Sequence, residues 1–67
     1  MIIELERTRK SKDRFENKLD SYYRYLQNGK EILWLVPNES MKKFVNEQIQ
    51  VYNWKIEQHH IEIFNYV

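Results

Sequence analysis

The sequence predicts a small α/β fold ordered β-α-β-α-β, with a three-stranded, mainly parallel sheet and two helices on one face. Three observations lead there. Residues 2–6 alternate with period two, residues 32–36 form an unbroken β-rich apolar run, and the stretches after each carry apolar residues at helical spacing.

The first strand, Ile2 to Glu6, puts Ile3 and Leu5 on one face and Ile2, Glu4 and Glu6 on the other. From about Ser11 the period changes. Phe15, Leu19, Tyr22, Tyr23 and Leu26 recur at helical spacing, and Asn28-Gly29 supplies a left-handed stop, which gives a helix of roughly four to five turns. Ile32-Leu33-Trp34-Leu35-Val36 is short, apolar at every position and ended by Pro37, as expected of a central strand buried on both sides. Asn38 can cap a second helix whose stripe is Met41, Phe44, Val45, Gln48, Ile49 and Tyr52, with Lys42, Lys43, Glu47 and Gln50 toward water, and Asn53 at its end. Residues 58–66 alternate again, with His59, Ile61 and Ile63 on one face and His60, Glu62, Phe64 and Tyr66 on the other.

Strands separated by helices of this length run parallel with right-handed crossovers. With the second strand central, both helices fall on one face. The expected open face is then Ile2, Glu4, Glu6, Ile32, Trp34, Val36, His60, Glu62 and Phe64, half apolar and in need of a cover. A homodimer or a covering domain outside this chain would supply it.

The 67 residues are read as one small domain, 1–67, or a fragment of a longer protein. A domain of this size buries only about 60% of its unfolded surface, so bulk matters. Two Trp, five Tyr and three Phe provide it. There is no cysteine for a disulfide, which fits a cytoplasmic setting, and no Cys/His spacing suggests structural zinc. The N-terminus shows neither a signal-peptide nor a transit-peptide pattern, and the longest apolar run is too short to span a bilayer. No motif calls for a cofactor; Gly29-Lys30 lacks the context of a phosphate loop.

The net charge of +1 hides an asymmetry, because residues 7–24 hold seven bases against three acids. Arg7, Arg9, Lys10, Lys12, Arg14 and Lys18 gather where a strand ends and a helix begins. Guanidinium and ammonium groups there can grip phosphate, which makes these six the candidate nucleic-acid contacts. Interleaving with Asp13, Glu16 and Asp20 is equally the pattern of a solvated helix face.

Glu4, Glu6 and Glu62, with His60, would share one sheet face in this reading, and converging carboxylates can hold a divalent ion for nuclease chemistry. Lysine is missing from the strand motif, however, since Glu4-Leu5-Glu6 has Glu where (D/E)xK has Lys. His59 and His60 point to opposite faces of a strand and cannot readily share a metal. No catalytic or metal site is therefore assigned. Tyr22, Tyr23 and Tyr25 could stack bases, but their spacing fits packing first.

Glu4-x-Glu6-Arg7-Thr8, then Lys18-Leu19 with Tyr22, then Leu33-Trp34-Leu35-Val36-Pro37-Asn38, resemble the C-terminal part of replication-relaxation proteins, a family that includes plasmid mobilisation accessory proteins. The resemblance covers about residues 2–45. It implies a nuclease-like α/β core without assured nuclease activity, beside an N-terminal winged helix that this chain lacks.

The expected function is thus a non-catalytic DNA-associated accessory module of plasmid replication or mobilisation. A protein–protein interaction or dimerisation domain, with Trp34, Phe64 and Tyr66 at its interface, is the alternative. A metal-dependent nuclease remnant is the third.

Overall fold

The computed structural model describes residues 1–65. Strand β1 (Ile2–Leu5) leads to helix α1 (Lys12–Ser21), a short helix α2 (Tyr23–Gln27), strand β2 (Ile32–Val36), helix α3 (Glu39–Tyr52), a 3-10 turn (Ile56–Gln58) and strand β3 (His59–Ile63). The strands form one parallel sheet in the order β1-β2-β3. The small α/β fold expected from the sequence is present.

Local chemistry sets the boundaries. The Ser11 side chain accepts from the Arg14 N–H to start α1, and Asn38 Oδ1 accepts from the Met41 N–H at 2.9 Å to start α3. Gly29 at φ 80° turns the chain toward β2, and Asn53 at φ 54° closes α3 in the left-handed conformation. The first helix differs from expectation in one respect. Its backbone breaks at Tyr22 (φ −101°, ψ 4°), where the N–H tightens onto the Leu19 carbonyl at 3.0 Å, so two helices replace one long one. The Tyr22 hydroxyl donates to Glu4, while Leu26 beyond the break stays in the core.

All helices pack on the same face, as expected, but for β1 and β2 it is the face opposite to the one expected, while β3 keeps its expected phase. The covered side carries Ile32, Trp34 and Val36, each 0% exposed, packed with Phe15, Leu19, Leu26, Met41, Phe44, Val45 and Ile49. Phe15 is the centrepiece, its ring 5.1 Å from Trp34 and 5.9 Å from Phe44 between centroids. Register puts Ile2, Glu4 and Glu6 on this same side, and Ile3 and Leu5 on the open one, 60% and 54% exposed. Because β2 is apolar throughout, it gave no phase; the acids of β1 looked solvent-facing, yet they lie inward and are neutralised there.

Register also separates the acids. Leu33 pairs with His60 and Leu35 with Glu62, which sets His60 and Glu62 on the open face while Glu4 and Glu6 lie on the covered one. The shared carboxylate face proposed for a nuclease does not form. Among the described residues no group of three His, Cys, Asp or Glu side chains is placed to hold a metal.

Candidate functional site

The junction of β1 and α1 is built around Glu6, only 1% exposed. Lys10 Nζ meets its Oε2 at 2.7 Å and Lys18 Nζ its Oε1 at 2.7 Å. Lys18 also bridges to Glu4 Oε2 at 2.8 Å, and Tyr22 donates to the other Glu4 oxygen. Two carboxylates therefore face two ammonium groups, a balance that removes the main cost of burying charge.

The balance appears in the proton affinities. Burial alone would raise the Glu4 carboxyl, but hydrogen bonds from Lys18 and Tyr22 outweigh it and the value falls below the ordinary one. Lys18, which burial would lower, is raised by Glu4 and Glu6. Burial, then the Glu4 hydrogen bond, pushes Tyr22 up to about 12. At neutral pH the Glu4 carboxylate and the Lys18 ammonium are therefore charged beside a protonated Tyr22 phenol.

The six predicted phosphate contacts thus divide. Lys10 and Lys18 are committed to the interior network. Arg7, Arg9, Lys12 and Arg14 are exposed. The Arg9 guanidinium lies 4.4 Å from the centre of the Phe44 ring, a stacked position that holds it over α3 while its in-plane N–H groups remain donors. Arg9, Lys10 and Lys12 border a groove of about 420 Å³ whose far side is Phe44, Glu47 and Val51. With Glu4 and Glu6 counted, residues 1–24 hold seven bases and five acids, a smaller surplus than the basic stretch alone suggested.

The predicted interface residues also divide. Trp34 is a core residue, its indole N–H donating to His59 Nδ1 at 3.0 Å, which corrects its assignment to an interface. Phe64, 49% exposed, follows β3. Tyr66 lies outside the described residues. Of the tyrosines, Tyr22 serves the Glu4 network, and Tyr23 stacks on Trp54 with 4.4 Å between centroids.

The sequence reading missed the pairing of Glu6 with Lys10 and Lys18. A signal was present, since Glu6 and Lys10 are four apart and the Glu4-x-Glu6 pair precedes the basic run. Compared with models of known families, with curated proteins and with solved structures, the chain matches none.

Proposed function

We propose that this chain is a non-catalytic DNA-associated accessory module that contacts phosphate through Arg9, Lys12 and Arg14, with Arg7 beside them. The observation that carries the reading is the division of cations at the β1–α1 junction. Lys10 and Lys18 pair with Glu6 and Glu4, so those two carboxylates are already held by lysines at the helix start where Arg9, Lys12 and Arg14 are exposed. Such contacts hold a backbone in place without reading bases. The resemblance to replication-relaxation proteins suggests plasmid replication or mobilisation as the setting.

Fluorescence anisotropy of labelled duplex and single-stranded DNA, titrated at low and near-physiological salt, tests this. Binding should weaken with salt, and each of Arg9→Ala, Lys12→Ala and Arg14→Ala should reduce the log–log slope by about one. Absence of binding at low salt, or an unchanged slope in all three variants, overturns the reading.

A second reading, a protein–protein interaction module, is favoured by a separate observation. Parallel sheets occur almost only with both faces covered, yet here Ile3 and Leu5 are more than half exposed on the bare face. Solvent paramagnetic relaxation at the Ile3 and Leu5 methyl groups in dilute solution should be strong; shielded methyls would refute a docking face.

A further inference from the structure

The open face consists of two rows across the sheet. Register aligns Ile3, Leu33 and His60 in one row and Leu5, Leu35 and Glu62 in the next. Each row is apolar over β1 and β2 and polar over β3. The rows lie two residues apart along the strands, roughly 6.6 Å.

From this pattern we infer that the open face is a self-complementary surface for a second copy of the chain, packed sheet against sheet about a two-fold axis that crosses the strands between the two rows. This rests on the docking reading of the face. Rotation about that axis lays β1 on its counterpart and β2 on its counterpart, and exchanges the rows. Ile3 then faces Leu5 of the other copy, Leu33 faces Leu35, and His60 faces Glu62.

Self-complementarity of this kind is what an isologous contact demands. The alternative axis, parallel to the strands, would set Ile3 and Leu5 over His60 and Glu62 and bury polar groups against methyls, an unfavourable match. The pairing of polar with polar and apolar with apolar therefore selects the first arrangement. Glu31, which meets His60 Nε2 at 2.6 Å, already lies beside the imidazole, so His60 sits between its own Glu31 and the Glu62 of the other copy.

Area sets the strength. Three strands at ~4.8 Å spacing and five residues at ~3.3 Å rise project a face of roughly 240 Å², well below the ~800 Å² per partner of a standard interface. The dimer is accordingly weak and reversible.

Sedimentation equilibrium of the chain from about 10 µM to about 1 mM tests the assignment. The expected result is a monomer–dimer equilibrium that Leu5→Glu shifts to monomer, raising the dissociation constant at least about tenfold. His60→Glu and Glu62→Lys should each weaken the dimer, and the double variant should restore it, because the exchanged charges face each other again. Circular dichroism of every variant confirms that the fold is retained. A chain that stays monomeric to 1 mM overturns the inference, as does a dimer that Leu5→Glu leaves intact. If the chain is monomeric while the Ile3 and Leu5 methyls are solvent-exposed, only the second copy fails; shielded methyls remove the docking reading itself.

Discussion

Glu6 shows how a single buried charge is made tolerable. Its two oxygens each meet an ammonium at 2.7 Å, but the two lysines are not equivalent, because Lys18 alone also holds Glu4. Removing Lys18 leaves two inward carboxylates with a single ammonium, Lys10, and the Tyr22 hydroxyl. Lys18→Met should cost about 3 kcal/mol, the lower end for breaking a buried pair since Lys18 itself is partly exposed, and lower the melting temperature by roughly 12 °C or more. Lys10→Met should cost about 1 kcal/mol or less; equal losses in thermal melts would refute the asymmetry. His59 gives a second prediction at this scale. Its Nδ1 accepts from Trp34, which requires that nitrogen to be unprotonated, and burial lowers its proton affinity. The unfolded chain then binds a proton more readily than the folded one. Stability from this residue is present above the unfolded histidine value of about 6.5 and is lost as pH falls below it toward the lower folded value. Melting temperature between pH 7.5 and 5 should drop in the native chain and drop less in His59→Gln, each measured with His60→Gln to remove the other imidazole.

Elements were legible where the chain carries a local stop or start. Gly29, Asn38 and Asn53 each bound a helix because each supplies either a left-handed residue or a side-chain acceptor within three residues of the end. These signals are contained in a few adjacent positions. The break at Tyr22 was not legible, since the tyrosine lies where the chain leaves helical geometry and its hydroxyl partner, Glu4, is 18 residues away. Sheet phase was hidden for a similar reason: β2 is apolar on both sides, and the acids of β1 reveal their inward direction only once Lys18 is brought across from α1. The sequence pointed to the β1–α1 junction as the place to look, while the division of its cations depended on tertiary contacts. The caps offer a direct check. Asn38→Ala should cost about 1 kcal/mol through loss of the Met41 N–H partner, and Asn38→Asp much less. At Asn53, with φ 54°, Ala should cost about 1 kcal/mol and Gly nothing comparable, because only the former meets the left-handed penalty. Denaturant melts that rank Ala and Gly alike at residue 53 would contradict the observed backbone.

At the scale of the whole molecule, the core is one-sided. Among the described residues, the ten buried apolar ones all belong to the covered face of the sheet and the helices on it, and Ile3 and Leu5 contribute little to it. The two faces should therefore respond oppositely to substitution. Leu26→Ala, at a position 0% exposed, should destabilise the chain by about 2–5 kcal/mol at any concentration. Ile3→Thr and Leu5→Thr keep strand preference and remove apolar surface that is mostly in water, so each should stay within about 0.5 kcal/mol of the native chain in dilute solution. Concentration then separates them further. If a partner molecule occupies the open face, folded dimer is drawn off by mass action and the melting temperature of the native chain rises with concentration. The double Thr variant should melt at a temperature independent of concentration, since the face no longer attracts a second copy, while its dilute melting temperature matches that of the native chain. Calorimetric scans of both proteins across a hundredfold range decide the matter. Parallel concentration dependence in the two would mean that association, where it occurs, uses some other surface, and a large loss of stability in the dilute Thr variant would mean that the open face is part of the folding core after all.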